Sequence, residues 1–253
     1  MKIRTKTERE LVRMRLAGQI VAQALDVMRR MVDVGVSTGE LNVAAESLIR
    51  GLGATPSFKG YHGYPATICA SINEEIVHGI PGARRLRPGD IISLDVGAIY
   101  QGYQGDAAIT VAVPPVKAEV QRLLDVTRAA LEAGIGAARA GNRLGDVSHA
   151  IESVALEAGL GVVREYGGHG IGRQMHEPPR ILNWGPAGRG PWLKAGMTLA
   201  LEPMLTLKGQ ETKVLDDNWT VVTADRSLSA HFENTIAVTE DDAEILTRLV
   251  DGE

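Results

Sequence analysis

Arg87-Pro88-Gly89-Asp90-Ile91-Ile92-Ser93-Leu94-Asp95 recurs in pattern as Lys194-Ala195-Gly196-Met197-Thr198-Leu199-Ala200-Leu201-Glu202. Each stretch runs from a basic residue through a Gly-marked turn into an apolar strand that ends on a carboxylate, and the two ends stand 107 residues apart (202 − 95). A second pair follows in the same order: Asp106-Ala107-Ala108-Ile109-Thr110-Val111 matches Glu233-Asn234-Thr235-Ile236-Ala237-Val238. Four acids at equivalent places in two half-chains converge if the halves pack face to face. Buried like charges repel strongly unless cations sit between them. A metal site with more than one ion is therefore expected.

The duplication reaches back into the segments before the strands. Ala24-Leu25 recurs as Ala130-Leu131, Gly35 as Gly141, Gly39 as Gly145, Ala44 as Ala150, Glu46-Ser47 as Glu152-Ser153 and Gly53 as Gly159, all at an offset of 106 (130 − 24). Each half thus reads helix, Gly-marked break, helix, then strands. A period of about a hundred residues is too long for a solenoid and indicates two related lobes in one chain. We expect a single catalytic α+β domain over residues 1–253, with an internal pseudo-twofold repeat of about 10–115 and 116–245.

Apolar residues three and four apart from Leu11 to Met28 predict an amphipathic helix over residues 7–32. Ser37 and Glu40 form a capping box that opens a second helix, ending at Gly51 and Gly53. Strands are predicted at 67–72, 75–77, 91–96 and 106–113, the last two joined by the turn-rich Tyr100–Gly105. In the second half, helices are predicted over 117–138 and from 146, followed by strands at 198–205, 219–223 and 231–239. The tail, 241–250, is expected to add a short helix.

With 44% apolar and 23% charged residues the chain has the composition of an ordinary globular protein with a sizeable core. A net charge of −4 and the absence of a basic block give no footprint for nucleic acid or an anionic membrane. No apolar run reaches the length of a membrane span, and the charged N-terminus lacks a signal-peptide core. Cys69 is the single cysteine, which excludes internal disulfides and fits a reducing compartment; the cytoplasm is the expected location. Aromatics are scarce, yet Phe58, Tyr61 and Tyr64 fall together in a Gly-rich loop, as the wall of an apolar pocket would require.

Alternate residues of a strand share a face. Asp95 therefore points with Ser93, and Glu233 with His231 and Thr235. A hairpin brings Asp95 and Asp106 to one mouth, and Glu202 and Glu233 can do the same in the other half. His169, within Gly167-Gly168-His169-Gly170, adds a nitrogen donor on a loop whose glycines let the backbone approach a ligand. One imidazole with four carboxylates suits a pair of divalent first-row ions, Mn, Fe, Co or Zn. Bridging carboxylates would hold them about 3.5–4 Å apart around a shared water. Singly, each acid reads as a strand-end residue and His169 as a loop hydrogen-bonder; the repeat is what gathers them. His231 shares a face with Glu233 and is expected beside the ligands or at the surface rather than on an ion.

Ordered motifs run through nearly the whole chain: Tyr61-His62-Gly63-Tyr64-Pro65, Ser71-Ile72-Asn73-Glu74 with His78-Gly79-Ile80-Pro81, Asp95 with Gly105-Asp106, Gly167-Gly168-His169-Gly170-Ile171-Gly172, Leu201-Glu202-Pro203-Met204 and Glu233-Asn234-Thr235-Ile236. In these the chain resembles type I methionine aminopeptidases of the M24 metallopeptidase family. The resemblance implies the pita-bread fold, two pseudo-symmetric halves of helices on a curved antiparallel sheet around a dinuclear site. It implies Asp95, Asp106, His169, Glu202 and Glu233 as metal ligands, with Asp106 and Glu233 bridging and with His169 and Glu202 on one ion. Glu202 would also handle protons, His78 would contact the substrate and help move a proton near the scissile amide, and His176 would donate to the carbonyl. Tyr61, Tyr64, Cys69, Met175 and Trp219 would bind the methionine side chain, and backbone around Asn73 and Ser229 would hold a monovalent cation.

Two departures stand out: Met175 occupies a place where Phe is usual, and Ala107-Ala108 follow Asp106 where a hydroxyl residue often supports the cluster. The implied role is removal of the initiator methionine from nascent polypeptides, preferring small second residues, by a cytosolic monomer in transient contact with the ribosome. Two other readings compete. A related peptidase for X-Pro bonds would be expected to carry an extra N-terminal domain. An inactive relative that binds peptides, RNA or ribosomes would have lost ligands, and all five are present.

Overall fold

The computed structural model describes residues 3–249. In the first half α1 (Glu8–Met31) and α2 (Thr38–Gly51) precede β1 (Thr55–Pro56), a 3-10 turn (Tyr61–Gly63), β2 (Ile68–Ile72), β3 (Glu75–Val77), β4 (Ile91–Tyr100) and β5 (Tyr103–Ala112). In the second half α3 (Ala118–Ala137) and α4 (Leu144–Glu157) precede β6 (Gly161–Val162), β7 (His169–Gly170), β8 (Glu177–Arg180), β9 (Thr198–Leu201) and β10 (Met204–Thr206). The chain then forms β11 (Thr212–Val214), β12 (Val221–Thr223), β13 (Ser229–His231), β14 (Glu233–Ala237) and β15 (Glu244–Ile245). The helix starts follow local chemistry: the Ser37 hydroxyl accepts from Glu40 N–H at 3.2 Å, and the Glu40 carboxylate accepts from Ser37 N–H at 2.8 Å.

The main sheet runs β1-β4-β5-β14-β9-β7-β8, with β2 on β4 and β15 on β14. At its centre β5 and β14 pair antiparallel, with Ala107 opposite Asn234. These two residues directly follow Asp106 and Glu233, so repeat-equivalent positions face each other across the pairing. That is what a local twofold axis between the halves requires. The pita-bread arrangement implied by the resemblance, and in keeping with the repeat, is the observed fold.

Strand alternation divides the work of the sheet. Leu94 and Val96 turn towards α1 and α2, where they join Met28, Leu41, Ile49 and Ile68 in one core. Leu199 and Leu201 turn towards α3 and α4 and pack with Leu131, Val147, Ile151 and Ile236 in a second. Each such buried aliphatic contributes about 1.5–3 kcal/mol relative to exposure. Asp95 and Glu202, one step along their strands from these leucines, are left on the opposite, concave face.

Several sequence expectations need correction. The segment 198–205 is not one strand: it breaks at Glu202-Pro203, because Pro203 has no N–H for a ladder, and β10 joins a separate sheet with β13 and β6. The segment 231–239 likewise switches sheets at Phe232. The hairpin turn between β4 and β5 narrows to Gln101 and Gly102, both with positive φ (48° and 76°), as a tight two-residue turn demands. The predicted C-terminal helix does not form within the described residues, and Val250 lies outside them. Instead Glu244 and Ile245 pair with Ala237 and Ile236, and Leu246 is buried against α1 at Gly18, where any β-carbon would meet the Leu246 carbonyl at 2.2 Å.

Candidate active site and metal centre

The register of the sheet assembles the acids. Ala108 pairs with Asp95 on one side and Glu233 on the other, placing both carboxylates in one row on the concave face. The next row on that face holds Gly97, Asp106, Thr235, Ala200 and His169: Gly97 pairs with Asp106, Thr235 exchanges hydrogen bonds with Asp106 backbone, and Ala200 pairs with both Thr235 and His169. Glu202 follows Ala200 by two residues and so projects to the same side. Gly97, Ala108 and Ala200 are the small residues among them, and the space over Gly97 is taken by Met175, Ser57 and Phe58.

The glycines around His169 act differently from the expectation. His169-Gly170 is a strand, not a loop, and its neighbouring glycines make room for protein rather than ligand. A β-carbon at Gly168 would lie 2.2 Å from the Ala200 carbonyl oxygen, and one at Gly170 2.2 Å from that of Pro178. The His169 Nδ1–H donates to the Gly170 carbonyl at 2.9 Å, since a carbonyl can only accept. This directs the Nε2 lone pair at the acids, 3.8 Å from Asp106 Oδ2 and 3.8 Å from Glu202 Oε1.

Asp106, Glu233, His169 and His231 are buried, while Asp95 and Glu202 keep a narrow opening towards a cavity. Asp95 Oδ1, Asp106 Oδ1, Glu233 Oε1 and His231 Nε2 are buried without a hydrogen-bond partner. Burial, and the neighbouring carboxylates after it, raise the Asp106, Glu233 and Glu202 carboxyls above their ordinary range; burial alone raises Asp95. Burial lowers His169 and His231, keeping both imidazoles neutral. Neutral imidazoles and crowded carboxylates with unsatisfied lone pairs fit divalent cations.

A cavity of about 240 Å³ opens onto this cluster. Tyr61, Tyr64, Cys69, Met175 and Trp219 line it, as do His78 and His176, so the expected pocket residues and both of these histidines meet the five candidate ligands in one place. Tyr64 is held by its hydroxyl, which reaches the Ile68 and Gly79 carbonyls at 3.0 and 2.9 Å, and its ring meets Trp219 edge-on at 5.0 Å. Trp219 is presented by a turn in which Asp217 accepts from the Trp219 and Thr220 N–H groups. The Cys69 thiol is pushed well above its ordinary value, first by burial and then by Asp95, so it serves as apolar wall rather than nucleophile. His78 holds a left-handed backbone (φ 62°), a conformation a side-chain-bearing residue keeps only where its surroundings impose it. Burial also lowers His78 and His176, leaving neutral rings that can donate N–H.

Asn73 and Ser229 are adjacent, the Ser229 N–H donating to the Asn73 carbonyl at 2.9 Å. The sequence places Phe58 in a pocket wall and His231 beside the ligands or at the surface, but gives no role to His62 or Asn183. Phe58 and His62 line the cavity, and Asn183 donates to the Glu202 carbonyl at 3.0 Å, holding the strand break in place. His231 is 1% exposed and faces the acids, so it is no surface residue. A loop histidine and an asparagine in a Pro/Gly-rich stretch carry no spacing signal; His231 did, through its shared face with Glu233. A larger groove, of about 770 Å³, lies between α1, α3 and the sheet.

The pattern of metallopeptidase family M24 matches residues 12–240. The chain belongs to this family. It is 54% identical over 245 residues to methionine aminopeptidase 1 of Mycobacterium tuberculosis, covering 94% of this chain and 92% of that protein. It is 50% identical over 244 residues to methionine aminopeptidase 1 of Bacillus subtilis, covering 96% and 98%. The crystal structure of the methionine aminopeptidase of Thermotoga maritima superposes with a TM-score of 0.96 at 45% identity, covering 98% of this chain and all of that one. Similarity of this extent makes the chain a metal-dependent exopeptidase of the methionine aminopeptidase group. Among the described residues no helix is long and apolar enough to cross a membrane.

Proposed function

We propose that this chain hydrolyses the first peptide bond of polypeptides that begin with methionine, using two divalent first-row cations (Co, Mn, Fe or Zn) held by Asp95, Asp106, His169, Glu202 and Glu233. The observation that carries this reading is the pair of adjacent rows on the concave sheet face, where acids from both halves meet one correctly oriented imidazole. Bound cations supply an acidified water that is nucleophilic at neutral pH and polarise the scissile carbonyl.

The chain's own residues do the rest. The cavity walled by Tyr61, Tyr64, Cys69, Met175 and Trp219 takes an unbranched thioether side chain, and Met175 adds a deformable wall of the same chemistry. The acids draw the substrate's α-ammonium group towards Asp95 and Asp106. Glu202, whose carboxyl is raised by burial, accepts the proton from the attacking water and passes it to the departing amine. Tyr61 Oη lies 2.8 Å from His176 Nδ1; with that phenol donating, the hydrogen sits on Nε2, which donates to the carbonyl oxygen as negative charge develops. His78 contacts the substrate beside the scissile amide and assists the proton's movement. The crowding of His62, His78 and His176 at the mouth favours small second residues.

The natural substrates are nascent polypeptides, met by a monomer in the cytoplasm during transient contact with the ribosome. A monovalent cation beside Asn73 and Ser229 belongs to the same reading. The test is cleavage of Met-Gly-type and Gly-Pro-type peptides by metal-depleted protein titrated with each divalent ion. Cleavage of the first peptide alone, saturating near two ions and abolished by chelator, is expected. Preference for the second peptide, or no cleavage of either after reloading, would overturn it.

A further inference from the structure

The acids face a second imidazole that the five-ligand set leaves out. His231 Nε2 is 3.8 Å from Glu202 Oε2 and 3.9 Å from Glu233 Oε2, and it has no hydrogen-bond partner. Those distances are too long for hydrogen bonds. They match the spacing of donors on a shared ion, since two ligand atoms each about 2.1 Å from one cation lie roughly 3–4 Å apart. The described residues contain two groupings whose donor atoms all lie within 4.8 Å of one another: Asp106, His169 and Glu233, and Glu202, His231 and Glu233. Glu233 belongs to both. Glu202 offers one oxygen to each imidazole, Oε1 to His169 and Oε2 to His231.

His231 is also rigidly placed. Its N–H donates to Thr110 Oγ1 at 2.8 Å, and the same hydroxyl donates back to the His231 carbonyl at 2.8 Å. With its hydrogen so used, Thr110 Oγ1 accepts from Ser93 Oγ, also at 2.8 Å. The first-half hairpin thus clamps the backbone of a second-half residue, and the ring has no other visible employment.

We infer that His231 is a direct ligand of the metal centre, so that this chain holds its ions through two imidazoles rather than one. The inference rests on the dinuclear-cation reading above and deepens it. A second nitrogen moves the donor set away from the oxygen-rich chemistry that suits Mn or Mg and towards that of Zn, Co and Fe. It also makes Glu202 a link between the two histidines instead of the property of one ion.

The test reads the metal rather than turnover. X-ray absorption of the native chain loaded with two Co(II) ions should count two imidazole nitrogens per pair, and the His231→Gln variant should count one. Calorimetric titration should show Co(II) binding weakened about tenfold or more in His231→Gln, with Mn(II) binding changed by less than about threefold. His169→Gln serves as the reference for loss of an imidazole. A single imidazole per pair in the native chain, which needs no variant to fold, would overturn the inference while leaving the five-ligand centre standing. So would a His231→Gln variant that binds Co(II) as tightly as the native chain. Failure of the native chain to bind Co(II) at all would remove the metal centre itself.

Discussion

Tyr61 Oη lies 2.8 Å from His176 Nδ1, and the His176 ring sits 4.2 Å, centroid to centroid, from that of His169. The aromatic wall of the pocket is thereby tied to a histidine beside the candidate metal ligands. Removing the phenol hydroxyl frees His176 to rotate and to change tautomer. A single hydrogen bond of this kind is worth about 1 kcal/mol, so Tyr61→Phe should lower kcat roughly fivefold with stability and metal content unchanged. His176→Ala, which removes the donor itself, should lower kcat about 100- to 1,000-fold. Steady-state kinetics on a Met-Gly-Gly peptide decide; equal effects of the two substitutions would break the proposed link.

Without cations the carboxylates should make the fold lose stability as pH rises. Burial places Asp95 at about 7 and Glu202 at about 8, and Asp106 and Glu233 are also raised. The folded metal-free protein therefore holds protons that the unfolded chain releases near pH 4. Below about pH 6.5 the lowered imidazoles of His78, His169, His176 and His231 act in the opposite sense, so the net fall of unfolding free energy with pH lies between about 6.5 and 8. Thermal unfolding of chelator-treated protein should show a lower Tm at pH 8 than at pH 6.5, and added Co(II) should raise Tm more at pH 8 while releasing protons. A metal-free Tm that climbs through this window would contradict the burial of these groups.

Gly97 faces Asp106 and has no room for a side chain. A β-carbon there would lie 2.9 Å from Met175 Cε, 2.9 Å from Ser57 Cβ and 3.0 Å from Phe58 Cε1. Gly97→Ala should destabilise the protein by about 1–3 kcal/mol through overpacking. Since Met175 and Phe58 line the pocket, KM for methionyl peptides should rise more than kcat falls. Urea unfolding and kinetics measured side by side would test both halves of this expectation.

Lys6 and Glu177 form a nearly enclosed ion pair at 2.9 Å, with side chains 7% and 14% exposed. Glu177 follows His176 directly, and its other oxygen accepts from the Arg173 and Gln174 N–H groups at 2.8 and 3.2 Å. The N-terminal segment thus ties down the loop that carries His176. Glu177→Gln should leave the Lys6 charge buried and unpaired, at a cost of about 3 kcal/mol, and should lower kcat through His176. Pairing it with Lys6→Met should recover stability but not kcat; recovery of neither would mean that the pair has no such role.

Much of the architecture was legible because it is local or repeated. The Ser37–Glu40 spacing announces a helix start through groups three residues apart. Apolar periodicity marks the helices, and period-two alternation tells Leu94 and Leu201 from Asp95 and Glu202. The duplication then brings the four candidate acids together without any contact being known, and the Gly-rich motif adds His169. What failed was what depends on partners distant in the chain. The tail reads as a helix by composition, yet Ile245 and Leu246 gain more by pairing with β14 and burying against Gly18. The glycines about His169 look like room for a ligand, and the space is taken by the Ala200 and Pro178 carbonyls.

The chain's own order of residues determined the two half-folds, the strands that end on acids and the chemical kind of site those acids make, since each follows from short-range periodicity doubled by a repeat. Only the tertiary structure decided that Glu202 faces two histidines, that Asn183 holds its backbone and that His231 is sealed in the cluster. These depend on where the strands break at Pro203 and Phe232 and on a clamp from Thr110. Such contacts join residues more than a hundred positions apart in the case of Thr110 and His231, and no local pattern records them.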